Sequence, residues 1–161
     1  MATTKENLAA AFAGESQANR KYLMFAEQAE KEGHIGAAKL FRAAAAAEQI
    51  HAFMEFRANG GVGTTEENLK AAIAGETHEF TEMYPAMIKE AEAEGCKNAV
   101  RIFNLANEAE KVHAKLYTEA LADIDGKDDY YLCPVCGYVH RGKTEDACPI
   151  CGAKAAVFQK F

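Results

Sequence analysis

Glu48-x-x-His51 and Glu110-x-x-His113 are one motif written twice, 62 residues apart, in a chain that otherwise reads as long amphipathic helices. Positions i and i+3 share a helix face, so each Glu and His can aim at one common point. Glu15 and Glu76 lie 61 residues apart in near-identical Ala-Gly-Glu-Ser/Thr contexts. Two helices giving one Glu each and two giving Glu-x-x-His form the ligand set of a carboxylate-bridged dinuclear metal site inside a four-helix bundle.

The helices can be delimited from their ends. Thr3-x-x-Glu6 and Thr64-x-x-Glu67 are capping boxes, each followed by Asn-Leu and an apolar stripe. Helices are predicted over about 4–32, 35–58, 65–94 and 97–123, with stops at Gly33, Asn59-Gly60-Gly61 and Gly95. Their stripes are Leu8, Phe12, Glu15, Asn19, Tyr22 and Ala26; Ala37, Leu40, Phe41, Ala44, Glu48 and His51; Leu69, Ile73, Glu76, Phe80, Met83 and Met87; and Phe103, Ala106, Glu110, His113 and Tyr117. The carboxylates therefore fall on faces expected to turn inward. Buried carboxylates without partners cost too much to tolerate, and a metal pair is the simplest compensation.

The helix pairs form an internal repeat. Its offset is 61 from Thr3/Thr64 through Glu15/Glu76, and 62 from Tyr22/Tyr84 to His51/His113. The third helix has thus gained one residue between about Glu79 and Tyr84. A single insertion in a helix is usually absorbed as a π-bulge, and Pro85 removes a further helical hydrogen bond. A bulge or kink is predicted there. Glu79, whose counterpart in the first repeat is Ala18, adds a carboxylate to an otherwise symmetric set of six.

The chain changes character after the polar segment Asp123–Asp129. Cys133-Pro-Val-Cys136-Gly and Cys148-Pro-Ile-Cys151-Gly are two knuckles whose four thiolates make a tetrahedral sulfur site for Zn²⁺ or a single iron. A segment of this size buries little core, so its metal should be needed for folding. For such a module alone zinc is the favoured reading; beside a di-iron site, iron is. A division into 1–125 and 126–161 follows.

Charge and cysteine use narrow the class. Residues 1–129 carry 14 Lys/Arg against 22 Asp/Glu, and residues 130–161 carry 4 against 2. An acidic body argues against nucleic acid as a partner. No apolar run approaches the roughly 20 residues of a membrane span, and the start lacks a secretory pattern, so no membrane partner and a cytoplasmic location are expected. Cysteines paired as Cys-x-x-Cys point to metal in a reducing compartment. Cys96, His34, His78 and His140 have no partner at ligand spacing and read as surface, cap or loop residues.

These features together resemble the rubrerythrin family over essentially the whole chain. The resemblance is carried by Gly14-Glu15-Ser16-Gln17, Glu48-x-x-His51, Gly75-Glu76-x-x-Glu79 with Met83-Tyr84-Pro85, Glu110-x-x-His113, and the two Cys-Pro-x-Cys-Gly knuckles. It implies a mainly α protein: a ferritin-like four-helix bundle with a di-iron site, then a small rubredoxin-like domain with one iron (zinc possible in isolated protein) on Cys133, Cys136, Cys148 and Cys151. It implies that Glu48 and Glu110 bridge the irons and that Glu15, Glu76 and His113 are terminal ligands. Glu79 and His51 would alternate on one iron, Glu79 when oxidised and His51 when reduced. These seven residues would be the catalytic set, with Tyr22 and Tyr84 bonding to ligand carboxylates. Ordinary core packing is the competing reading of both tyrosines.

The link over residues 59–64 is short. It spans only ~20 Å at ~3.5 Å per residue, whereas a helix of this length runs ~36 Å. A ferritin-like bundle places helices two and three parallel and needs a connection along the whole bundle. Either the order is plain up-down-up-down, or helix pairs are exchanged in a homodimer; the exchanged dimer is favoured.

The function implied is a non-haem di-iron peroxidase that reduces hydrogen peroxide to water. Its electrons would come through the cysteine-held iron from rubredoxin or an NAD(P)H-dependent reductase. The absence of a Gly-x-Gly-x-x-Gly fingerprint agrees with an external reductase. Ferroxidation and iron handling is the alternative. A zinc-ribbon adaptor with a merely structural bundle leaves the paired Glu-x-x-His motifs unexplained.

Overall fold

The computed structural model describes residues 2–161 and divides the chain into two compact units, one ending at Gly63 and one running Thr64–Phe161. In the first, α1 (Thr4–Lys31) packs along α2 (Ile35–Ala58). Both helices place alanine at the contact: Ala26 and Ala29 on α1, and Ala38, Ala45 and Ala52 on α2, are buried. Small side chains let the backbones approach closely enough for Asn19 Nδ2 to donate to the Ala45 carbonyl at 2.7 Å. Arg42 clamps Glu30 across the pair with bonds of 3.0 and 2.8 Å.

The second unit contains α3 (Thr65–His78), a π-helical turn over Glu79–Met83, α4 (Tyr84–Ala93) and α5 (Lys97–Ala122), with α3 and α4 packed on α5. The repeat offset places its extra residue between Glu79 and Tyr84, and the π turn occupies that stretch. The widened turn takes up the extra residue, and Pro85, which has no N–H to donate, follows it at the start of α4.

Both capping boxes form. Thr3 N–H donates to Glu6 Oε2 at 2.6 Å and Glu6 N–H to Thr3 Oγ1 at 3.2 Å; the Thr64/Glu67 distances are 2.7 and 3.3 Å. Gly33 and Gly95, repeat mates after α1 and α4, take φ of 82° and 71°. Only glycine adopts that left-handed turn without strain, and it lets the next N–H cap the helix end, as His34 does on the Ala29 carbonyl.

After α5 the chain forms a small antiparallel sheet in the order β2-β1-β3, from β1 (Tyr130–Leu132), β2 (Val139–Arg141) and β3 (Gln159–Lys160). Tyr131 pairs with His140 and with Lys160. His140 therefore belongs to a strand rather than to the knuckle loop, and its Nδ1 lies 2.9 Å from the Gly142 carbonyl. Arg141 joins Asp128 at 2.6 Å and Glu119 at 3.5 Å, tying this module to the end of α5.

Five residues of the predicted inward stripes are exposed, namely Ala37, Leu40, His51, Met87 and Tyr117. Leu40 is 70% exposed, along with Ile50 and Met54 on the same helix. The buried alanines fix which side of α2 meets α1, and Leu40 lies about 160° around the helix from Ala38. No helix of the described chain is long and apolar enough to cross a membrane.

Candidate metal centres

The structure gathers the predicted ligands into three clusters, each with atoms mutually within 4.8 Å: Glu15, Glu48 and His51 in the first unit, Glu76, Glu110 and His113 in the second, and the four knuckle cysteines. Each helical unit thus brings together one lone Glu and one Glu-x-x-His. Glu79 stands beside the second cluster without joining it.

In the second unit the His113 Nδ1 lies 2.6 Å from Glu110 Oε2 and 3.6 Å from Glu76 Oε2. Glu76 Oε2 is buried with no hydrogen-bond partner, the condition expected of an oxygen that a cation would satisfy. Burial first, then the hydrogen bond to and charge of Glu110, push the Glu76 carboxyl up to about 7, with His113 opposing. Burial and the charge of Glu76 raise Glu79 as well. This donor set fits a divalent metal: clustered carboxylates that resist ionising together, with one imidazole, become favourable once a cation lies between them.

A metal entering here must displace the proton of Glu76. Affinity at this half-site should fall about tenfold for each pH unit below about 7, which metal titrations at pH 6 and 7 would measure. Folding responds as it does to any raised acid. Below the ordinary glutamate range the group is protonated folded or unfolded, and as pH rises towards about 7 the metal-free protein loses stability, because the buried carboxyl must ionise.

In the first unit His51 Nδ1 lies 2.9 Å from Glu48 Oε2. Glu15 is raised by burial, by Glu48, and then by the charge of Glu55. Glu55 lies outside the ligand set that the motifs define. It follows His51 by four residues and Glu48 by seven, a same-face spacing that is the one signal for it in the sequence. Its repeat mate, Tyr117, stands out in the sequence only as part of a stripe. Burial raises the Tyr117 hydroxyl, and the charges of Glu76 and Glu110 add to it, so it too stands near a cluster.

The two tyrosines expected beside the ligands pack alike, Tyr84 on Phe103 and Tyr22 on Phe41, each with ring centroids 6.2 Å apart. Tyr84 is raised by burial and then by Glu110, Glu79 and Glu76, so its hydroxyl is within reach of the second cluster's charge. Tyr22 packs in an aromatic group with Phe25 and Phe41 at centroid distances of 6.3 and 6.2 Å. His78 is exposed and meets Glu82 at 3.4 Å, and Cys96 is exposed at the start of α5. Neither joins a cluster.

Around the third cluster, Cys133 Sγ lies 3.6 Å from Cys151 Sγ, and Cys136 Sγ 3.5 Å from Cys148 Sγ. A tetrahedral metal with bonds of about 2.3 Å needs sulfurs about 3.8 Å apart, so the four fit one ion with little adjustment. Burial acts to raise the Cys133 thiol, yet the backbone N–H groups of Val135 and Cys136 outweigh it and leave the thiol lowered. Those amides favour thiolate, the form that binds metal. Gly137, directly after Cys136, turns its carbonyl onto α5, where it lies 2.9 Å from His113 Nε2. The ring that faces Glu110 with one nitrogen therefore faces the cysteine knuckle with the other.

Comparison with known proteins agrees with these centres. The family Rubrerythrin matches residues 6–121, and the family described as Rubrerythrin, rubredoxin-like domain, matches residues 131–159. Nigerythrin of Nitratidesulfovibrio vulgaris is 42% identical, covering 92% of this chain and 82% of its own. Rubrerythrin-2 of Clostridium acetobutylicum is 37% identical, covering 99% and 97%. Nigerythrin solved in its partially reduced state superposes with a TM-score of 0.62 at 38% identity, over 100% of this chain and 88% of that one. The chain belongs to the rubrerythrin family, oxidoreductases that join a ferritin-like domain binding a pair of irons to a rubredoxin-like domain binding one.

Proposed function

We propose that this protein is a peroxidase that reduces hydrogen peroxide to water, consuming two electrons and two protons for each O–O bond broken. The observation that carries the reading is the His113 imidazole, with Nδ1 at the Glu110 carboxylate and Nε2 at the Gly137 carbonyl, next to Cys136. A ring held at both nitrogens cannot turn. It gives a covalent and hydrogen-bonded route from a thiolate ligand to a ligand of the helical centre. An iron pair held by these helical ligands would supply the two electrons that break the peroxide bond, and an iron held by Cys133, Cys136, Cys148 and Cys151 would be a one-electron source for replacing them.

Within this reading Glu15, Glu48, His51, Glu76, Glu79, Glu110 and His113 are the ligand and catalytic set, and Tyr22 and Tyr84 orient the carboxylates from outside it. The functional boundary falls between the helices, 1–125, and the cysteine module, 126–161. Electrons come from rubredoxin or an NAD(P)H-dependent reductase in the cytoplasm. The working species is a homodimer with helix pairs exchanged, each complete site taking one three-residue cluster from each copy. The short link over residues 59–64 and the exposed apolar side chains Leu40, Ile50 and Met54 support this pairing.

The test is rapid mixing of anaerobically reduced, iron-loaded protein with one equivalent of hydrogen peroxide, and separately with oxygen, while following oxidation of the thiolate-bound iron. Fast oxidation by peroxide and slow oxidation by oxygen is the expected result. His113→Ala should uncouple the thiolate iron while the cysteine site stays loaded. If oxygen reacts faster, and added iron is turned over without the thiolate site, the protein is a ferroxidase instead.

A further inference from the structure

Histidines that bind metal through one ring nitrogen almost always donate the other N–H to a carboxylate or a backbone carbonyl, which fixes the ring and makes it a better ligand. His113 has such an acceptor in the Gly137 carbonyl at 2.9 Å. His51, its repeat mate, does not. Its Nδ1 is occupied by Glu48 at 2.9 Å, its side chain is 54% exposed, and its Nε2 has no protein acceptor among the described residues. The cysteine module follows only the second repeat, so nothing equivalent to Gly137 follows α2.

One turn beyond His51 the complementary deficit occurs. Glu55 Oε2 is buried and has no hydrogen-bond donor, the same state as Glu76 Oε2 in the other unit. A buried acceptor left without a donor is destabilising, and more so when the group is charged. On a helix, residues four apart are neighbours, about 40° apart around the axis, so Glu55 and His51 can meet by side-chain rotation alone. Each of the two groups thus lacks the partner that the other offers. The repeat sharpens the contrast, because Glu55 stands where the second unit has Tyr117.

We propose that Glu55 is a positioning residue for His51: its carboxylate accepts the Nε2–H of the imidazole when Nδ1 faces the metal, and holds the ring in the ligating pose. This rests on the reading of His51 as a metal ligand. It gives the half-exposed ring two resting places, one turned to solvent and one fastened by Glu55. It thereby assigns the control of His51 ligation to a residue of the same helix.

The experiment uses the full chain loaded with Co²⁺, which makes the N–H protons of bound histidines visible as strongly shifted, solvent-exchangeable NMR resonances. Wild type should show two such resonances from the helical centre. Glu55→Leu should lose one of them, retain the His113 resonance, and bind one of the two helical ions about 10–100-fold more weakly. The absorption of the cysteine site should not change. Glu55→Gln, which keeps an acceptor oxygen, should retain both resonances and most of the affinity. A merely structural Glu55 predicts otherwise, since replacing an unpartnered buried carboxylate by leucine leaves folding intact or improved. Two unchanged resonances and unchanged affinities in Glu55→Leu overturn the proposal. If wild type binds no pair of ions and shows no histidine resonance, the ligand reading falls with it.

Discussion

Replacing Glu110 by alanine should remove paired metal binding and lower peroxide turnover by about a thousandfold or more, corresponding to ~4 kcal/mol of transition-state stabilisation. Glu110 touches His113 Nδ1 at 2.6 Å, and after burial it is the main reason that Glu76 is raised. The same substitution should leave the metal-free fold intact. Two partly buried carboxylates compete for charge in the free protein, and removing one relieves the other. Glu76 should move back towards the ordinary glutamate range, stopping short of it because burial remains. Metal analysis and a thermal melt of the metal-free variant separate the two effects. A Glu110→Ala protein that keeps both irons, or that cannot fold without them, contradicts this account.

Replacing Cys148 by alanine should unfold the cysteine module. Its sheet has two three-residue strands and one of two residues, and its largest fully buried side chain is Cys133. Such a core cannot offset the chain entropy of ordering the segment. Metal binding is then the folding energy, about 10–16 kcal/mol for thiolate sites in small zinc domains. Loss of one ligand should release the bonds from Cys148 N–H to the Ala153 carbonyl and from Gly152 N–H to the Cys148 carbonyl, and the contact between Gly137 and His113. Proteolysis should then cut residues 130–161 rapidly while α1–α5 resist. Catalytic turnover with an external donor should fall close to zero. A single oxidation of chemically reduced helical iron by peroxide should persist. Retained multiple turnover in this variant would mean that electrons reach the helical centre by another route.

Much of the site is legible in the linear chain because its geometry is local. The Glu-x-x-His spacing puts two ligands on one helix face wherever that helix goes. The capping boxes at Thr3 and Thr64 are closed by residues three apart, and the change in repeat offset from 61 to 62 is enough to locate the π turn. The knuckles are equally local, since Cys-x-x-Cys-Gly brings two sulfurs onto one tight turn. Leu40 shows where this reasoning fails. Its periodicity says that it should be buried, but periodicity reports a face, and the neighbour that covers a face is a matter of tertiary packing.

The amino-acid sequence by itself determined the helices, the seven acidic and imidazole ligand candidates, the four thiolates and the family. Each of these is encoded in spacings of a few residues or in a repeat that can be counted. Tertiary structure alone decided which groups were left without partners. Glu55 Oε2 and Glu76 Oε2 are orphaned only because helices pack over them, and His113 is locked only because Gly137, 24 residues on, turns its carbonyl towards α5. Burial and long-range hydrogen bonds depend on what the chain brings back against itself, so the contrast between the half-exposed His51 and the fixed His113 emerges only in the fold.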